Sequence, residues 1–168
     1  MKHLLLLLLL GSHLLSYGQN KTHKLIGQYH DYFGNRIEIK GDSTFNYSWH
    51  FDMVRSWSKG TWAIKNDTIY FKTILIYDTL RYKKENGQIV DSLIVANDEK
   101  PKIITIPPIN TIFSSGGQNR QPCPDKLYYK NEKLFKITKE GKLVKKKIKG
   151  FWTKKKWHPW YFKQIESN

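Results

Sequence analysis

Polar and apolar residues alternate along most of this chain, and a period of two is the signature of half-buried strands. The pattern is clearest in Phe45-Asn46-Tyr47-Ser48-Trp49-His50-Phe51, where Phe45, Tyr47, Trp49 and Phe51 share one face. Ile37 and Ile39 point together within Arg36 to Lys40. Trp62 with Ile64, and Ile69 with Phe71, form the next short faces. Ile74 to Leu80 and Ile89 to Val95 are mostly apolar, β-branched runs of strand length. Turn residues separate the runs: Gly34-Asn35, Gly41-Asp42, Asn66-Asp67, Asn86-Gly87 and Glu140-Gly141. Asn86-Gly87 is the strongest of these, since both residues tolerate the positive φ of a type I′ turn. Short turns make neighbouring strands antiparallel. The chain therefore reads as an all-β, antiparallel up-and-down meander. Only the tail around Tyr161 to Glu166 reads as a short helix.

One local motif recurs. Asp42-Ser43-Thr44-Phe45, Asp67-Thr68-Ile69, Asp78-Thr79-Leu80 and Asp91-Ser92-Leu93 each place Asp before a hydroxyl residue and then an apolar one. Such an Asp bonds its own backbone two residues on, and the hydroxyl residue suits the strand that follows. The motif reads as turn and strand entry rather than as chemistry. Residues 97–125 break the rhythm with five of the six prolines and Gly116-Gly117. Within them, Ile103 to Ile106 has the character of one strand. A connection of this length is functional or mobile.

The N-terminus changes the compartment. Met1-Lys2-His3, seven leucines from Leu4 to Leu10, and Ser16-Tyr17-Gly18 describe a signal peptide over residues 1–18. The apolar run is shorter than the roughly 20 residues a transmembrane helix needs, and no lipid-attachment cysteine follows it. The expectation is an exported chain, periplasmic or extracellular and soluble after cleavage, with 19–168 as a single β-barrel domain. Within that domain, 97–125 is a long Pro/Gly-rich connection and 126–163 holds Lys/aromatic-rich strands.

Charge changes the picture again. The 168 residues carry a formal net charge of +15, and most of it lies at one end. From residue 126 onward, 14 lysines face three glutamates, with nine aromatic residues among them and no arginine. Lys133 to Lys149 reads as two strands around Glu140-Gly141. Basic residues interleaved with aromatics point to a polyanion. Export and the missing arginines disfavour nucleic acid, because arginine makes the bidentate base contacts. An anionic lipid or glycan surface fits better, with Lys145, Lys147, Lys154, Lys155, Lys156, Trp157 and Trp160 as its contacts. The bland alternative is a solvated lysine face, since edge strands carry lysine to resist aggregation.

Signals for catalysis are absent from the sequence. No Gly-x-Ser-x-Gly, phosphate loop, dinucleotide fingerprint or His-Glu-x-x-His occurs. His50 and Asp52 flank Phe51 and would share a face if the strand reached that far. Cys123, between two prolines, is the single thiol, which excludes a multi-cysteine zinc site and a disulfide scaffold. We expect no enzyme activity, no cofactor and no metal.

Leu25-Ile26-Gly27-Gln28-Tyr29 resembles the Gly-x-Trp motif that opens lipocalin-like domains, with Tyr in place of Trp. Asp42-Ser43-Thr44-Phe45, Lys59-Gly60-Thr61-Trp62 and Asn66-Asp67-Thr68-Ile69 are similar to small exported lipocalin-like (calycin-type) β-barrel proteins of Bacteroidetes. The resemblance covers residues 24–73. It implies a closed or nearly closed antiparallel barrel of about eight to ten strands, either filled by side chains or holding one small ligand. On that basis Tyr47, Trp49, Trp62 and Phe71 line or fill the interior. The leading expectation is a non-enzymatic binding module for a small apolar or amphipathic ligand. The alternative is a cell-envelope interaction protein that docks its Lys/Trp-rich C-terminal surface on anionic lipid or glycan.

Overall fold

The structure, a computed structural model, describes residues 23–105, 117–118 and 123–164. The signal-peptide reading, Ile106 and Glu166 fall outside the described residues. In chain order the strands are β1 (Gly27–His30), β2 (Asn35–Ile39), β3 (Thr44–Phe51), β4 (Val54–Lys65), β5 (Thr68–Ile74), β6 (Tyr77–Lys83) and β7 (Ile89–Val95). They continue with β8 (Ile103–Ile104), β9 (Lys126–Lys130), β10 (Lys133–Lys136), β11 (Ile148–Lys149), β12 (Lys156–Trp157) and β13 (Tyr161–Lys163). Eight of them close a barrel in the order β1-β13-β10-β9-β5-β4-β3-β2. That is chain order once β6–β8 and β11–β12 are set aside. Every barrel pairing is antiparallel. The protein is thus an up-and-down barrel of the lipocalin-like type with two insertions.

Alternation sets the barrel's inner wall. Phe45 and Tyr47 of β3, Trp62 of β4, Ile69 and Phe71 of β5, and Tyr161 of β13 are all buried in one core cluster. Tyr29, Ile37 and Tyr47 pair directly across β1, β2 and β3, so they form one layer of it. Gly60 faces inward opposite Phe45. A Cβ there would stand 2.0 Å from the Lys72 carbonyl oxygen and 2.8 Å from the Phe45 ring. The missing side chain is what leaves room for the Phe45 ring, 0% exposed, and for the approach of β5.

Strand direction sorts the loops. One end carries the tight turns β2–β3, β4–β5 and β9–β10. Positive φ at Ser43, at Asn66-Asp67 and at Asn131-Glu132 bends the backbone there. A helical turn over His23–Leu25 seals this end. Leu25 is fully buried, and the Tyr29 hydroxyl donates to its carbonyl at 2.7 Å. The opposite end carries the β1–β2 and β3–β4 turns and both insertions.

The first insertion is a three-stranded sheet, β7-β6-β8, whose β6–β8 pairing is parallel. Gln118 fastens it to the barrel. Its amide accepts from the Ile76 backbone NH at 2.9 Å and donates to the Ile76 and Ala96 carbonyls at 2.7 and 2.9 Å. Its neighbour Gly117 accepts from the Trp57 backbone NH at 3.1 Å. The second insertion, 137–160, contains the β11–β12 hairpin.

Several expectations need correcting. Ile74 to Leu80 is not one strand, because β5 ends at Ile74 and β6 starts at Tyr77 where the chain leaves the barrel. The tail from Tyr161 is strand β13, whose pairing with β1 and β10 closes the barrel. Asn86-Gly87 is no type I′ turn, since only Gly87 has positive φ. The paired positive φ values occur instead at Asn66-Asp67 and at the unforeseen Asn131-Glu132. Asp42 does bond the Thr44 backbone NH and hydroxyl. Asp78 and Asp91, however, sit inside strands, where Asp78 accepts from the Lys102 NH and Asp91 pairs with Arg81. Asp52 lies in the turn beyond β3, at φ 54, so it does not share a strand face with His50.

Candidate functional site

The interior aromatics do not converge on one space. Trp62 sits in the lower half, where its indole NH donates to the Lys40 carbonyl at 3.0 Å. Phe71 packs edge-on against Phe45, ring centres 4.9 Å apart. Tyr47 is buried higher up and donates to the Asn35 side-chain oxygen at 2.7 Å. Trp49 is half-buried beneath the insertion-bearing end and donates to the Phe33 carbonyl at 3.1 Å. Each ring has its polar atom satisfied or its face packed, as core residues do. Burial pushes the Tyr29, Tyr47 and Tyr161 hydroxyls well above the ordinary phenol range. It also pushes the Cys123 thiol up to about 12, with Asp125 adding to the effect. That thiol keeps its proton at neutral pH and is no nucleophile there. Among the described residues no cluster of three His, Cys, Asp or Glu side chains could hold a metal ion.

The insertion-bearing end has a different character. Tyr32 in the β1–β2 turn is 50% exposed, and Met53 in the β3–β4 turn is 78% exposed. The β11–β12 hairpin leans on these turns. Trp157 stacks on Tyr32 with ring centres 4.4 Å apart, and Phe151 meets Phe51 at 4.5 Å. Gly150 makes the hairpin tight: its NH donates to the Lys155 carbonyl at 3.0 Å, and a Cβ would press on Thr153 and the Trp157 ring.

Lys145, Lys147, Lys154, Lys155 and Lys156 are all exposed. Trp157 and Trp160 are half-buried. Trp160 stacks on His158 at 4.0 Å and meets Phe135 at 5.3 Å. Partial burial, together with the charges of Lys147 and Lys133, lowers the His158 pKa below the ordinary imidazole value. These two tryptophans seat the hairpin rather than face outward.

The residues that do face outward are Phe151, 56% exposed, and Trp152, 97% exposed. Neither is among the surface contacts expected from the sequence. The available signal was Gly150-Phe151-Trp152-Thr153 between two lysine runs, where large rings occupy the tip of a turn that normally takes small polar residues.

A second feature lies on the outer wall just below this end. A groove of about 490 Å3 crosses β2, β3 and β4, lined by Arg36, Ser48, His50, Arg55 and Trp57 and overhung by Glu99. A neighbouring groove of about 220 Å3 shares Arg36, Ser48, Trp57 and Glu99 and adds Lys59. Of the expected ligand residues, Trp49 lines the first groove and Tyr47 the second, whereas Trp62 and Phe71 line neither. Lys59 holds Glu99 in an ion pair at 2.5 Å. The Trp57 indole donates to the Asn97 carbonyl at 2.8 Å, which fixes the arm that carries Glu99.

No helix among the described residues is long and apolar enough to cross a membrane. Compared with known proteins, the chain matches no family model, no curated protein and no solved structure.

Proposed function

We propose that the insertion-bearing end of the barrel docks on an anionic lipid surface, with Phe151 and Trp152 entering the headgroup layer. The observation that carries this reading is Trp152, 97% exposed at the tip of a hairpin flanked by lysines. An indole held in water at a hairpin tip gains free energy at a membrane interface, where Trp is enriched. Lysines near an anionic bilayer each contribute about 1 kcal/mol at moderate salt. Tyr32 and Met53 on the adjacent turns extend the same apolar rim. Many lysines and few apolar contacts give a peripheral, salt-sensitive attachment, suited to an exported protein that stays at an envelope surface. The packed aromatics inside the barrel lend less support to an internal carrier, since Trp62 and Phe71 serve as core.

Vesicle flotation tests the reading. Phosphatidylcholine vesicles doped with phosphatidylglycerol should retain the protein, undoped ones should not, and added salt should release it. Trp152→Ser and a variant with Lys154, Lys155 and Lys156 changed to Gln should each lose most of the retention. Equal retention on neutral vesicles, or none on either, overturns the proposal. Retention on an acidic polysaccharide that Trp152→Ser leaves unchanged, with none on vesicles, replaces lipid by glycan.

A further inference from the structure

We propose that Arg36, His50 and Arg55 form a clasp for a phosphate ester, the headgroup phosphate of the lipid on which the barrel docks. The inference rests on the docking reading for its lipid source, but not for its chemistry. Register defines the clasp. Arg36 on β2 lies directly opposite Ser48 on β3, and His50 on β3 lies directly opposite Arg55 on β4. All four residues are exposed on the outer wall. The two arginines thus stand on either side of β3, roughly 10 Å apart across the strands. Each has a side chain long enough to reach over the Ser48 hydroxyl and His50 imidazole between them. The groove of about 490 Å3 occupies that space.

The charges there lack an internal answer. Three arginines are among the described residues, and Arg81 is fully engaged by Asp91 through two hydrogen bonds of 2.9 and 2.8 Å. Arg36 and Arg55 make no ion pair with any described residue. The one carboxylate on the groove, Glu99, is held by Lys59. Two guanidinium groups facing one groove repel each other until an anion joins them, and the His50 side chain between them offers a ring N–H to that anion. A planar guanidinium matches two phosphate oxygens at once, which a lysine cannot do. The chain has 29 Lys and Arg residues and only four are arginine, so two at one groove set it apart from the lysine surfaces. Position links the clasp to docking: His50 and Arg55 are one residue pair below the Phe51–Val54 pair that meets the Met53 turn.

The test has a soluble arm and a membrane arm. In the soluble arm, glycerol 1-phosphate is titrated into the full chain by NMR, with inorganic sulfate as control. Saturable shifts at Ser48, His50 and Arg55 that Arg36→Gln/Arg55→Gln weakens at least about tenfold support the clasp. Arg36→Lys/Arg55→Lys should restore only part of the binding, whereas a purely Coulombic patch would recover it fully and overturn the assignment. In the membrane arm, wild type should prefer phosphatidic acid vesicles over phosphatidylserine vesicles, and the Gln double variant should lose that preference while keeping salt-sensitive retention. Trp152→Ser should do the reverse, losing vesicles and keeping glycerol phosphate. Saturable glycerol phosphate binding by a protein that ignores vesicles removes the lipid source and overturns that part of the proposal. Absent saturation in solution, together with unchanged headgroup preference in the Gln variant, overturns the clasp while leaving docking intact.

Discussion

The two ends of the barrel are built from the same alternating strands and yet have opposite surfaces. The sealed end has three tight turns and a plug, Leu25, with 0% exposure. The open end carries two insertions, two turns and the exposed rings of Tyr32, Phe151 and Trp152. The difference follows from topology. In an up-and-down barrel, alternate connections fall at alternate ends. A connection can lengthen at one end without disturbing register at the other, because loop closure costs only slowly more as loops grow. One end can therefore specialise in stability and the other in contact.

That division breaks most severely within the wall that both ends share. Gly60→Val places a branched side chain where even a Cβ meets backbone at 2.0 Å. The expected result is loss of the folded barrel, read as loss of cooperative unfolding in circular dichroism. Next comes the plug. Leu25→Ala should cost about 3 kcal/mol, the range for emptying a fully buried leucine site, and urea unfolding measures it. Gln118→Ala follows at roughly 2 kcal/mol. It leaves the Ile76 NH and the Ile76 and Ala96 carbonyls without their partner, and local detachment of the side sheet limits the loss. Hydrogen exchange should show faster exchange at Ile76 with Tyr47 and Leu127 still protected.

The barrel wall and the turns of the sealed end were the more legible in the sequence. Phe45 to Phe51, Trp62 with Ile64, and Ile69 with Phe71 declared their faces through alternation. Asn66-Asp67 declared its turn. The open end was not legible, for three physical reasons. Ile74 to Tyr77 is an unbroken apolar run, so nothing in its pattern marks the corner where β5 leaves the barrel. Closure depends on Tyr161–Lys163 pairing with β1 and β10, a long-range contact that no local signal carries. The proposed clasp depends on register: Arg36 and Arg55 are nineteen positions apart and border one groove only because both strands pair with β3. The lysine-rich third was visible as charge. Composition alone does not separate Trp152, exposed at the tip, from Trp157, stacked on Tyr32.

Alkaline pH sharpens the contrast from within. The folded state raises the Cys123 thiol from 9.0 to about 12 by burial. The folded chain then holds a proton that the unfolded chain releases, so this contribution to stability is complete below about pH 9 and lost as pH rises through about 12. Buried Tyr29, Tyr47 and Tyr161 act in the same direction at higher pH. Denaturation midpoints should fall steadily from pH 9 upward, and Cys123→Ala should flatten the first part of that fall. A thiol reagent at pH 8 should modify Cys123 only on unfolding.

The smallest effect on stability is the most telling for the open end. Trp152→Ser should shift the unfolding free energy by no more than about 0.5 kcal/mol, the usual limit for an exposed position without packing partners. Trp157→Ser should cost more, because it removes the stack on Tyr32 and the Lys155 ammonium contact at 4.1 Å over the ring. If Trp152 is at the tip to touch a surface, its removal changes retention on anionic vesicles and leaves melting alone. A matching loss of stability in Trp152→Ser would instead make that ring part of the hairpin's own packing, and the two ends of the barrel would differ in loop length but not in purpose.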